Sequence, residues 1–68
     1  MISLNEYIAK YENKVMPQEK YNNFKAELTR NNFLLHDDYF KLYISNKNNE
    51  MVQKLNITYS SEGVTISR

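Results

Sequence analysis

Tyr39-Phe40-Lys41-Leu42-Tyr43-Ile44-Ser45 is the stretch whose reading decides the fold. Side chains alternate across a strand, so Phe40, Leu42 and Ile44 are expected to face a core. Tyr39, Lys41, Tyr43 and Ser45 then share the opposite face. One face is aliphatic, the other mixes Tyr with Lys and should meet solvent or a partner.

Downstream, Asn46-Lys47-Asn48-Asn49-Glu50 is a loop of turn formers. Met51, Gln53, Leu55, Ile57 and Tyr59 then alternate with Val52, Lys54, Asn56 and Thr58. Leu55 and Ile57 mark the first set as the inner face, because a slip of one residue would expose them. Ser60-Ser61-Glu62-Gly63 reads as a tight turn, and Val64-Thr65-Ile66-Ser67 as a last strand with Val64 and Ile66 inward.

Upstream, two helices are expected. Ser3 and Glu6 form a capping-box pattern, with Ile2 and Tyr7 placed as a hydrophobic staple. Leu4, Ile8, Tyr11 and Val15 follow as one helical stripe, predicting a helix from about residue 4 to 15. Glu6 and Lys10 are ordered for an i,i+4 ion pair. Pro17 breaks that helix or opens the next. Tyr21, Phe24 and Leu28 carry the stripe of a second helix, which runs to about Arg30 and stops at Asn31-Asn32. Phe33-Leu34-Leu35 reads either as an extended link plugging the core or as the tail of that helix. His36-Asp37-Asp38 reads as a polar, turn-like crossing into the first strand.

The expected architecture is a single α+β domain over residues 1–68, two N-terminal helices packed on a three-stranded antiparallel meander (ααβββ). Its expected core is Leu4, Ile8, Tyr11, Val15, Phe24, Leu28, Phe40, Leu42, Ile44, Leu55, Ile57, Val64 and Ile66.

Composition narrows the function. A chain of 68 residues buries a modest core, and with no cysteine no disulfide or Cys-ligated zinc supports it. His36 is the single histidine, which argues against a multi-His metal site. Asp37 and Asp38 beside it would point apart on an extended segment, so this cluster reads as a polar loop. The serines lack a nucleophile-elbow context, and one glycine rules out glycine-rich phosphate loops. Neither an enzyme nor a cofactor or metal is therefore expected. Asn56-Ile57-Thr58 matches a glycosylation sequon but lies mid-strand, in a chain with no basic n-region or long apolar run at its start. A cytoplasmic address and no membrane segment are the expectations.

The net charge of +1 gives little bulk attraction to nucleic acid. Asn supplies ten residues and Tyr six, a bias that accompanies AT-rich coding sequence and small products of phages and other mobile elements. The expected binding face is the outer sheet surface, with Tyr39, Lys41, Tyr43, Lys54 and Asn56, joined by Thr58 and Thr65. Tyr enrichment suits a protein interface, and interleaved Tyr and Lys also suit stacking on bases; strand propensity alone would supply the same residues. A protein partner is the leading expectation, with a regulator or inhibitor docking on a host or defence protein as its concrete form. A small nucleic-acid-binding regulator is the second. Two helices before a hairpin resemble winged helix-turn-helix DNA readers, but Lys25 and Arg30 lie about 140° apart on the helical wheel, so no coherent basic face forms. The last strand is expected to be an uncovered edge, open to pairing with a second copy.

Overall fold

The computed structural model describes residues 3–68, so the Ile2 half of the expected staple lies outside the described residues. Seven elements follow in order: α1 (Leu4–Tyr11), β1 (Val15–Met16), α2 (Gln18–Arg30), β2 (Leu34–Asp38), β3 (Lys41–Ser45), β4 (Met51–Ser60) and β5 (Gly63–Ser67). The three-stranded meander is thus corrected. Among the described residues the sheet has five antiparallel strands, ordered β1-β5-β4-β3-β2.

The two additional strands come from segments whose side chains do not advertise them. Ser3 starts α1 as expected, its hydroxyl accepting the Glu6 N–H at 3.4 Å. The helix ends at Tyr11 rather than near residue 15, because Asn13 takes a left-handed φ of 61° and donates its N–H to the Ile66 carbonyl at 2.8 Å. Val15 and Met16 then lie beside Thr65 and Val64. Val15 belongs to a strand and is 50 % exposed, whereas Met16 is buried. At the other edge, Leu34 to Asp38 pair in register with Ser45 to Lys41. Backbone pairing makes a strand of His36-Asp37-Asp38 whatever its polar side chains prefer. The start of the next strand moves accordingly: Tyr39 and Phe40 are the turn between β2 and β3, not the first residues of β3.

Pro17 begins α2 and Asn32, at φ 70°, follows its end, both where the sequence puts them. The helix packs on one face of the sheet, against β1, β2 and β5. The core between them is Tyr7, Ile8, Met16, Tyr21, Phe24, Leu28, Leu42, Ile44, Leu55, Ile57, Val64 and Ile66. Leu4 and Tyr11 are only partly buried against it, and Val15 and Phe40 leave it altogether. Tyr7, Met16 and Tyr21 replace them. Tyr7 stacks on Phe24 at 5.1 Å between centroids and donates its hydroxyl to the Phe24 carbonyl at 3.5 Å.

The sheet is staggered. β3 pairs with Met51 to Asn56 of β4, and β5 pairs with Asn56 to Ser60. Ten extended residues span about 33 Å, so β4 accounts for the long dimension of 36 Å. The end of β5 is tied back to α1 by Arg68, whose guanidinium donates to both Glu12 carboxylate oxygens at 2.7 and 3.1 Å. That fork holds the Glu12 carboxyl below the usual carboxylate range. This pair and Lys25–Asp37 are the ion pairs among the described residues, and the expected Glu6–Lys10 pair is not one of them.

Gly63, at φ 145°, lies at the start of β5 beside the end of β1, and a Cβ there would collide with the Met16 carbonyl oxygen. Gly63→Ala is therefore expected to lower unfolding stability by about 3 kcal/mol, from the clash and the strained φ together. Urea denaturation of the two proteins measures it.

Candidate functional site

Two-residue hairpin turns favour Asn-Gly, Asp-Gly or Gly-containing pairs, because their backbone needs positive φ. The β2–β3 turn holds Tyr39 and Phe40, and neither has positive φ, so its backbone does not demand those residues. Both rings stand out of the protein, 65 % and 66 % exposed. They touch edge to face at 4.6 Å, and Tyr39 also meets Tyr59 at 4.8 Å with the planes tilted by 40°.

Tyr59 lies opposite Val64, on the helix-bearing face of the sheet. It is nevertheless 39 % exposed. β4 runs on past its neighbour here: the Ile57 N–H donates to the Phe40 carbonyl at 2.8 Å, and beyond that bond β3 has turned away. The three rings thus form one continuous apolar surface at this end of the molecule.

Beneath it lie three groups of different character. Asp37, on the helix side of β2 opposite Leu42, accepts from Lys25 Nζ through Oδ2 at 2.7 Å. The same ammonium sits 4.6 Å from the centre of the Tyr21 ring. The Tyr21 hydroxyl is buried with no hydrogen-bond partner among the described residues. Burial, reinforced by the Asp37 and Tyr59 charges, pushes its ionisation well above the ordinary tyrosine range. Tyr59 shifts the same way, again chiefly from desolvation, then from Asp37 and Tyr39.

The residues expected to form the binding face divide. Lys41 lies opposite Asn56, and Tyr43 opposite Lys54, on the face turned away from the helices. Lys41 Nζ reaches Asn56 Oδ1 at 3.5 Å. His36 joins this face beside Tyr43, their ring centroids 5.8 Å apart. Tyr39 is not with them, because it lies in the turn and packs on Tyr59. Phe40 and Tyr59 were not expected in a site at all, since each has the parity of the core residues in its strand. The sequence carries no local sign that the alternation through Phe40 and Leu42 crosses a turn. His36 and Asp37 point to opposite faces of β2, and no metal-binding group of His, Cys, Asp and Glu forms among the described residues.

The sheet edges are blunted. β5 is not an edge, since β1 and the Asn13–Ile66 bond cover it. β1 itself is two residues long and is followed by Pro17, which has no N–H to offer. β2 carries the Asp37 charge facing inward beneath Lys25, a device that discourages strand addition. The first half of β4 extends past β5, but the Lys54 N–H is taken by Gln53 Oε1 at 3.1 Å, and the register shifts between Ile44 and Ser45.

No protein-family model matches the sequence, and no curated protein or solved structure matches it significantly. No helix among the described residues is long and apolar enough to cross a membrane.

An unpartnered buried hydroxyl costs about 1–3 kcal/mol of desolvation. Tyr21→Phe removes it while keeping the ring against Phe24, so its thermal midpoint should equal or exceed that of the parent. A clearly lower midpoint would show that the hydroxyl is bonded in solution.

Proposed function

We propose that the protein is a non-catalytic protein-binding module that docks through Tyr39, Phe40 and Tyr59. One observation carries this reading: two large aromatic residues occupy the β2–β3 turn about two-thirds exposed, contiguous with the partly exposed ring of Tyr59. Contiguous exposed apolar rings are a costly surface for a small protein, and aromatic anchors dominate the energetics of protein interfaces. The blunted edges favour docking through side chains over strand addition to a partner or to a second copy.

The biological setting follows from composition. Small size and Asn, Lys and Tyr richness support a phage or mobile-element regulator or inhibitor that acts in the cytoplasm on a host or defence protein. A second reading rests on the outer face, where His36, Tyr43 and Lys54 form one row across three strands with Lys41 alongside. Rings and ammonium groups in a row could stack on bases and contact phosphates, giving binding that weakens steeply with salt.

Immobilised parent protein, a Tyr39→Ser/Phe40→Ser variant and a Tyr43→Ala/Lys41→Glu variant separate the readings when exposed to low-GC bacterial lysate with and without nuclease treatment. The proposal expects one near-stoichiometric protein captured by the parent and the outer-face variant and lost with the turn variant. Loss only with the outer-face variant would move the site to the other side of the sheet. Capture that disappears with nuclease treatment would favour the nucleic-acid reading.

A further inference from the structure

We infer that the corner where α1 ends and α2 begins binds the phosphate backbone of a single-stranded nucleic acid through Lys10, Lys14 and Lys20. None of these residues belongs to the aromatic corner, which is built on β4 and the β2–β3 turn. Tyr11 is the fixed centre of the surface. Its partly buried ring packs edge-on against Tyr7 at 5.2 Å and Phe24 at 5.4 Å. The ammonium groups of Lys10 and Lys20 each lie 5.7 Å from the centre of that ring. Lys14 joins them, its Nζ donating at 3.3 Å to the Lys10 carbonyl, which is peptide-bonded to Tyr11.

These charges gather without a counter-charge. All three lysines are exposed and outside any ion pair among the described residues. Glu12, which follows Tyr11, is taken through both carboxylate oxygens by Arg68. Glu6 and Glu19, on the same two helices, pair with none of the three. For Lys10 and Lys14 the fold supplies a reason, since cations are favoured at a helix C-terminus. It supplies none for Lys20, which lies in the first turn of α2, at the positive end of the helix dipole, and shares its ring with Lys10. Like charges held this way repel until an anion lies among them. The donors select the anion. Lysine ammonium groups are point charges on flexible stems, without the fork that matches a single carboxylate. Set around one ring, they match charges strung along a chain. The ring adds a surface on which a base can stack, which an acidic peptide cannot use.

Fluorescence anisotropy of the whole protein with a labelled oligothymidylate of about ten nucleotides tests this, with oligoglutamate of equal charge as competitor. Three lysine–phosphate contacts predict that log affinity falls with log salt concentration at a slope of about −2. Lys10→Gln/Lys20→Gln, which keeps good helix formers at exposed positions, should weaken binding about tenfold or more at low salt and reduce the slope to about −0.7. The Tyr43→Ala/Lys41→Glu variant loses the same net charge from the outer sheet face and should bind like the parent. Tyr39→Ser/Phe40→Ser should also bind like the parent, so this surface and the docking corner fail in different variants. No binding at low salt, or affinity unchanged by Lys10→Gln/Lys20→Gln, would overturn the inference. Oligoglutamate that displaces the oligonucleotide at equal concentration would overturn it too, and would assign the corner to an acidic protein segment.

Discussion

The close backbone approach of Met16 to Gly63 is the constraint on which the rest of the structure depends. Because position 63 has no Cβ, the Met16 carbonyl can lie directly against it, and β1 can pair along β5. That pairing sends Pro17 and α2 back across the sheet, where Tyr21, Phe24 and Leu28 close over Leu42, Ile44, Leu55 and Ile66. It also turns the last strand from an exposed edge into an interior one. Sixty-eight residues leave little apolar surface to spare, so two residues of strand and one glycine have a large effect.

The aromatic cluster is a consequence of the stagger. β4 serves two partners in succession, β3 along its first half and β5 along its second. Where β3 gives way, the inward side of β4 has no strand beside it, and Tyr59 stays half open although it points toward the helices. The β2–β3 turn reaches this corner and adds two rings. Elsewhere the molecule guards itself: Pro17 blunts β1, Lys25 covers the inward charge of Asp37, and Gln53 caps a free amide on β4. The guarded edges thus contrast with an unguarded aromatic corner.

Much of the fold was legible in the residues, for identifiable reasons. Both helices follow from their stripes and from Ser3, Pro17 and Asn32, and β3, β4 and β5 follow from alternation around Leu42, Leu55 and Ile66. The failures have a common cause. β1 and β2 are strands because neighbouring backbones pair with them, while their own residues, Val15-Met16 on one side and His36-Asp37-Asp38 on the other, carry no strand period. Phe40 misled most. It continues the parity of Leu42 and Ile44 across a turn that has no Gly, Asn or Pro at its centre, so alternation alone placed an exposed ring in the core. Four of the five expected site residues do share one sheet face, yet the more unusual surface lies on the other side, around the residues that periodicity hid.

The central claim is that Tyr39 and Phe40 serve binding and not folding. The most direct test is the equilibrium stability of the double variant Tyr39→Ser/Phe40→Asn, which supplies ordinary turn residues and removes both rings. The account predicts a urea midpoint equal to or above that of the parent. A loss of about 3–5 kcal/mol, the cost of truncating a core aromatic, would contradict it and return these rings to the structural core.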